Sequence, residues 1–258
     1  METPREPPAY VAHSGEAERL AEALTRAGSP ERAEREKRYL KSELEHLGVP
    51  VGEVRRLVKG LVRDLKEGAS LEGAALAGLT DALWEREVHE VRLAAVLLLV
   101  EAEGLLTRED LPLIERLLKE ARTWALVDPL AIYALGPLRG RQPQGLADVL
   151  DAWVRHDDLW LRRSALLAYL LDVRRGDERA FVEFGERADA LLEDGEFFVR
   201  KALGWVLREG TKRRPEAVFD WLLPRASRAS ALTLREASKH LPAEQREALR
   251  QARGRSPE

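Results

Sequence analysis

Val88–Glu103 reads VHEVRLAAVLLLVEAE, and within it Val91, Ala94, Ala95, Leu98 and Leu99 fall at i, i+3, i+4, i+7 and i+8. That spacing is the stripe of an α-helix with one buried face. Working outward, no other stretch alternates with period two between turn signals, so nothing reads as a strand. Helical spacing recurs instead, divided by residues that end and start helices. Gly48 followed by Pro50 closes one helix and opens the next. Thr107 with Asp110 is a helix start with acid in its first turn. Gly104, Gly140, Gly176, Gly195 and Gly210 punctuate the later helices.

This punctuation predicts helices at about 15–27, 29–47, 51–67, 70–85, 88–103, 108–120, 124–138, 143–154, 159–173, 177–193, 196–209, 215–223, 230–239 and 243–253. Short loops between them favour antiparallel neighbours. The expected fold class is all-α: a curved α-α superhelix, or solenoid, of degenerate HEAT-like helix pairs recurring about every 35–40 residues. Residues 15–253 are expected to form one helical-repeat domain, with flexible polar tails at 1–14 and 254–258.

Composition narrows the function classes. Six of the fifteen aromatic residues are Trp, and there is no Cys. A disulfide framework, a Cys-ligated zinc and a thiol nucleophile are thereby excluded. No apolar run approaches the roughly 20 residues of a membrane span, and METPREPPAY at the start has no signal-peptide core. A cytoplasmic protein is expected. Net charge is −3, but Glu196–His240 holds ten Lys or Arg against five Asp or Glu. A basic C-terminal third on an acidic body suits a localised anionic ligand.

The richest segment is EFFVRKALGWVLREGTK, Glu196–Lys212. Lys201, Trp205, Arg208 and Lys212 fall at i, i+4, i+7 and i+11 on one helix stripe. Cations can hold phosphates and an indole can stack on sugar or base, and Gly204 beside them permits close backbone approach. The plain alternative is a buried Trp205 flanked by solvated cations. Trp124 and Asp128 in TWALVD share a face at i, i+4, beside Pro129. A core Trp with a helix-start Asp is the ordinary reading of that pair. In LWLRRSALL, Leu159–Leu167, Trp160 and Arg163 share a face that Arg162 does not. Arg56, Lys59 and Arg63, and likewise Arg235 and Lys239, can reach phosphate, although such charge runs are ordinarily solvated. His13, His46, His89, His156 and His240 are never at i, i+4, so no helical metal motif exists. Neither a Gly-rich phosphate loop nor a G-x-S-x-G elbow is present.

Taken together and in order, RYLKSELEHLGVP (38–50), LWEREVHEVRLAA (83–95), TWALVD (123–128), DLWLRRSALL (158–167), EFFVRKALGWVLRE (196–209) and LREASKHL (234–241) resemble the AlkD-like DNA alkylation repair glycosylases. The resemblance spans roughly residues 35–245 and is most specific in EFFVRKALGWVLRE. It implies a curved HEAT-like stack gripping duplex DNA that contains alkylated bases, associated with the nucleoid when bound; a monomer is expected, because a bent duplex groove needs no partner chain. It implies excision of positively charged alkylated purines of the 3-methyladenine and 7-methylguanine type in base excision repair, with no metal or organic cofactor. By matched motif, Asp128 takes the catalytic carboxylate position. Trp205 takes that of the indole packed on the lesion nucleotide, and Trp124 that of the first of two aromatics before the Val-Asp. Arg163 stands for an arginine near the lesion phosphate and Tyr39 for an aromatic close to the site. Phe197, Phe198, Lys201 and Arg208 belong to the same block, and Lys212 and Arg162 are expected DNA contacts. Ala125 departs from the family, which carries the second aromatic there. That departure leaves open a DNA-structure binder without excision, and the repeat architecture leaves open a scaffold for protein partners.

Overall fold

The structure, a computed structural model, describes residues 14–68 and 71–254. They contain sixteen α-helices and no strand. Of the tails expected at 1–14 and 254–258, only Ser14 and Gly254 lie among the described residues, at the start and the C-cap of terminal helices. None of the described helices is long and apolar enough to cross a membrane. The chain divides into two compact units at Ala134/Leu135.

The first unit holds α1 (Ser14–Arg26), α2 (Pro30–Leu40), α3 (Val51–Glu67), α4 (Gly73–Trp84), α5 (His89–Glu101), α6 (Leu111–Ala121) and α7 (Trp124–Leu130). Its centre is α5, which packs against α1, α3, α4 and α7. The stripe predicted one buried face, yet α5 is buried from His89 to Val91 and again from Leu93 to Leu99. Leu93, Val96 and Leu97 fill the remaining faces, and a helix apolar nearly all round is one that other helices surround. Arg92 interrupts the run. Its Nε donates to the Trp84 and Arg86 carbonyls, and its guanidinium sits 5.1 Å from the Trp84 ring centroid.

The helix predicted over 29–47 ends at Leu40. Lys41 takes the left-handed conformation with φ 50°, and its N–H and that of Ser42 turn back to the carbonyls of Arg38 and Lys37. The chain then meets the residues before α5 in one parallel bridge, Glu45 with Val88. Leu44 and Leu47 carry helical spacing, but the Leu44 N–H goes to the Ser42 hydroxyl and the Leu47 backbone is held by Glu90 on α5. The buried Glu90 carboxylate accepts the N–H groups of Leu47, Gly48 and Val49 at 2.9, 2.6 and 3.2 Å.

The single helix predicted over 124–138 is α7, a π-turn at Ala131–Leu135 and a short helix, α8 (Gly136–Arg141). Pro129 inside α7 lacks the N–H that a regular turn would donate, which interrupts the helical ladder here.

The second unit continues from α8 with α9 (Pro143–Val154), α10 (Leu159–Leu167), α11 (Leu170–Arg175), α12 (Glu178–Ala190), α13 (Phe197–Thr211), α14 (Pro215–Leu222), α15 (Ala231–Ala237) and α16 (Ala243–Arg253). The run predicted over 159–173 is thus two helices, broken at Ala168 and Tyr169. The Tyr169 ring is buried there, with the Arg139 and Arg187 guanidinium groups 4.2 and 5.5 Å from its centroid. The centre of this unit is α13, packed against α10, α11, α14 and α15. Val199, Ala202, Leu203, Val206 and Leu207 form its buried stripe. That leaves Lys201, Trp205, Arg208 and Lys212 along the other side.

Candidate functional site

In the first unit, Thr123 caps α7 by accepting the Ala125 N–H, which sets Trp124 at the first helical position. Asp128 follows one turn later and is 9% exposed, while Trp124 and Ala125 remain half-buried. The structure brings Tyr39, in the last turn of α2, against Trp124. The two rings meet edge to face with centroids 6.1 Å apart and planes at 90°. Tyr39 is otherwise 73% exposed, an unusual position for a tyrosine that serves only packing. A cavity of about 960 Å³ opens beside Thr123, lined by four cations, Lys41 and Arg122 among them, and by five glutamates.

Two histidines that sequence spacing separated are brought together here. His46 and His89 stack at 4.5 Å with planes 4° apart, both buried. Burial, then the neighbouring His46 ring, pushes His89 down to about 4, against the pull of Glu90. Burial also lowers His46, against the pull of Glu90 and Glu36. Glu36, His46 and Glu90 offer ligand atoms within 4.8 Å of one another. Both carboxylates are already engaged, Glu36 by Arg32 at 2.6 Å and Glu90 by the three backbone N–H groups, so the cluster is one of structure.

In the second unit, Arg163 is 3% exposed. It donates to the Phe198 carbonyl and lies 5.9 Å from the Phe198 ring centroid. Trp160 packs on Phe198 at 5.0 Å, and the exposed Phe197 stands edge-on to Phe198 at 5.3 Å. Arg162 is a tie within the unit. It pairs with Asp194 at 2.7 Å and donates to the carbonyls of His156 and Asp157.

On α13, Trp205 is half-buried. Its neighbouring cations are neutralised from two directions. Glu236 on α15 holds Lys201 at 3.5 Å and also holds Arg208, while Glu209 holds Lys212 at 2.8 Å. A Cβ on Gly204 would stand 2.7 Å from the Glu236 Cβ and 3.1 Å from the Thr233 carbonyl. The close approach that Gly204 permits is therefore made by α15. Sequence spacing did not reveal Glu236, because its partners lie on another helix. Arg56, Lys59 and Arg63 behave as a solvated face, each within 4 Å of a carboxylate.

The family described as DNA alkylation repair enzyme matches residues 20–241. The chain belongs to this family. A comparison with curated proteins gives no match. Among solved structures, a predicted DNA alkylation repair enzyme from Enterococcus faecalis is 23% identical with a TM-score of 0.71, over 84% of this chain and 97% of that one. AlkD2 from Streptococcus mutans is 20% identical with a TM-score of 0.54, over 80% and 89%. The protein smu.31 from Streptococcus mutans UA159 is 21% identical with a TM-score of 0.51, over 80% and 98%. At these identities the likeness is one of fold, the AlkD-type arrangement of helical repeats. Membership of the repair family rests on the match over residues 20–241 and gives the chain a role in DNA alkylation repair.

Proposed function

We propose that this family member is a glycosylase that excises cationic alkylated purines from duplex DNA, with Asp128 as its catalytic carboxylate. The observation that carries the reading is local to α7. Asp128 is nearly buried one turn after Trp124, and Trp124 is met edge-on by an exposed Tyr39. A carboxylate kept from water beside aromatic faces suits a cationic partner.

The chemistry needs little more. An N-alkylated purine already carries a positive charge, so it departs with the electron pair of the C1′–N bond without prior protonation. The second carboxylate of ordinary glycoside hydrolysis is then dispensable. The sugar left behind is oxocarbenium-like. Asp128 stabilises that charge and orients the water that adds to C1′, whose surplus proton passes to the carboxylate or to solvent. In the second unit, taken by itself, Trp205 is half-buried on α13, and Lys201 and Arg208 beside it become cations for DNA phosphate where phosphate competes with Glu236. Base, sugar end and water account for every atom, and no cofactor enters.

The test is free-base release. Methylated duplex DNA is incubated with the protein and with Asp128→Asn, and released bases are identified by mass spectrometry. Release of 7-methylguanine or 3-methyladenine by the parent alone is the expected result. Release retained in Asp128→Asn would sink the assigned role. Duplex binding without release by either protein would favour the non-excising binder to which Ala125 points.

A further inference from the structure

The last two helices gather five cations around one cleft. Arg235 and Lys239 stand one turn apart on α15 and the turn after it, while Arg246, Arg250 and Arg253 follow at i, i+4 and i+7 on α16. All five are exposed and line one cleft of about 580 Å³, and no carboxylate lines it. Arg250 pairs with Glu247 on its own helix. The other four make no ion pair among the described residues. The cleft also has an apolar floor, since Leu234 and Leu249 line it and are themselves buried.

Five like charges around one cleft repel each other, and an apolar floor focuses their field outward. An anion relieves both. The row from Arg246 to Arg253 extends about 10 Å along α16, at about 1.5 Å per residue. A duplex strand presents a continuous row of phosphates, so a row of cations this long can meet more than one of them, where one free phosphate ion would leave most of the cations unmet. We propose that the α15–α16 cleft is a nucleic-acid contact that takes the phosphodiester backbone of duplex DNA. The proposal rests on the DNA-acting reading above and extends it beyond the family match, which ends at residue 241 and leaves α16 outside.

The test uses the full chain and an unmethylated duplex, with binding measured between 50 and 200 mM salt at about the range where phosphate contacts are most salt-sensitive. The variant Arg235→Gln/Lys239→Gln/Arg246→Gln/Arg253→Gln alters only exposed helix positions, and circular dichroism verifies its fold. Each lost phosphate contact removes about 0.9 from the slope of log K against log salt. The expected loss is about 3 in slope, with affinity at the low-salt end down at least tenfold. The variant Arg235→Lys/Arg246→Lys/Arg253→Lys keeps the charges and is expected to keep the slope.

An unchanged slope in the glutamine variant overturns the cleft and leaves the glycosylase reading standing if the parent releases base. A lowered slope in the glutamine variant, with a parent that releases no base, does the reverse. A parent that binds no duplex overturns both. Tighter binding of polyglutamate than of duplex, lost in the glutamine variant, replaces the nucleic acid by an acidic protein partner.

Discussion

The Glu90 carboxylate lies 2.6 Å from the Gly48 backbone nitrogen, and through that bond α5 fixes the segment that follows α2. Glu90 is 1% exposed, and three backbone N–H groups provide its charge with partners. Glu90→Gln keeps the volume but turns an amide N–H₂ toward donors. A loss of about 3 kcal/mol is expected, the scale of an unsatisfied buried group next to charge-assisted bonds. Urea unfolding of parent and variant measures it, and a loss below about 0.5 kcal/mol, the size of an ordinary surface change, would remove Glu90 from this role. Gly48→Ala should be at least as severe. Gly48 has φ +74°, and a Cβ there would collide with the Ser29 carbonyl and stand 2.5 Å from the Ala33 nitrogen.

Protonation should reach this same region through His89. Its folded value of about 4 lies below the ordinary histidine value of 6.5, because burial and the stacked His46 ring disfavour its charge. The unfolded chain therefore binds the proton more readily between those two values. The contribution is fully present above about pH 6.5 and is lost as pH falls from there toward 4. It amounts to about 2 kcal/mol between pH 7.5 and 5. Denaturant titrations at the two pH values should show the parent losing about that much more than His89→Gln. Equal losses would show that His89 titrates alike in the folded and unfolded chain.

Glu236 sets how much of the α13 stripe is available to an anion. It is 8% exposed and holds both Lys201 and Arg208. Glu236→Gln keeps the contact with Gly204 but releases two cations. Duplex affinity should rise several-fold and the salt slope steepen by about 1–2, at a cost of about 1–2 kcal/mol in stability. A weaker or unchanged affinity would show that Lys201 and Arg208 do not meet phosphate.

Elements defined by local spacing were legible in the sequence. The helices at 51–67, 143–154 and 243–253 match their predicted bounds, because apolar period and capping residues are near neighbours in the chain. The helix predicted over 29–47 does not run to its predicted end, because Glu90, some forty residues on, captures Leu47–Val49, and no local rule carries that. The site divides the same way. Trp124 and Asp128 share a face at a spacing readable on paper, and resemblance placed Tyr39 near the site. Burial of Arg163, the tie of Arg162 to Asp194, and Glu236 over the stripe are long-range facts. The cations that spacing favoured on α13 are paired, whereas Arg235 and Lys239, which read as an ordinary solvated face, have no such partner.

Ala125 gives the last prediction. It is half-buried, beside Trp124 and three residues before Asp128, where the resemblance to the AlkD-like glycosylases implies a second aromatic. An indole there would add a π face near the carboxylate, and a developing oxocarbenium ion is attracted to such a face by about 0.5–1 kcal/mol at a partly exposed site. Because that charge develops in the transition state, the attraction acts on the chemical step more than on binding. Ala125→Trp should therefore accelerate single-turnover release of 7-methylguanine about two- to fivefold, with affinity for unmethylated duplex little changed. The two readouts separate the explanations. Faster release at constant affinity assigns the missing aromatic a catalytic part, whereas tighter binding with no faster release means that the indole only adds contact area. Slower release would mean that the small side chain of Ala125 leaves room for the nucleotide, and that this chain has shaped its site around the absence of the second ring.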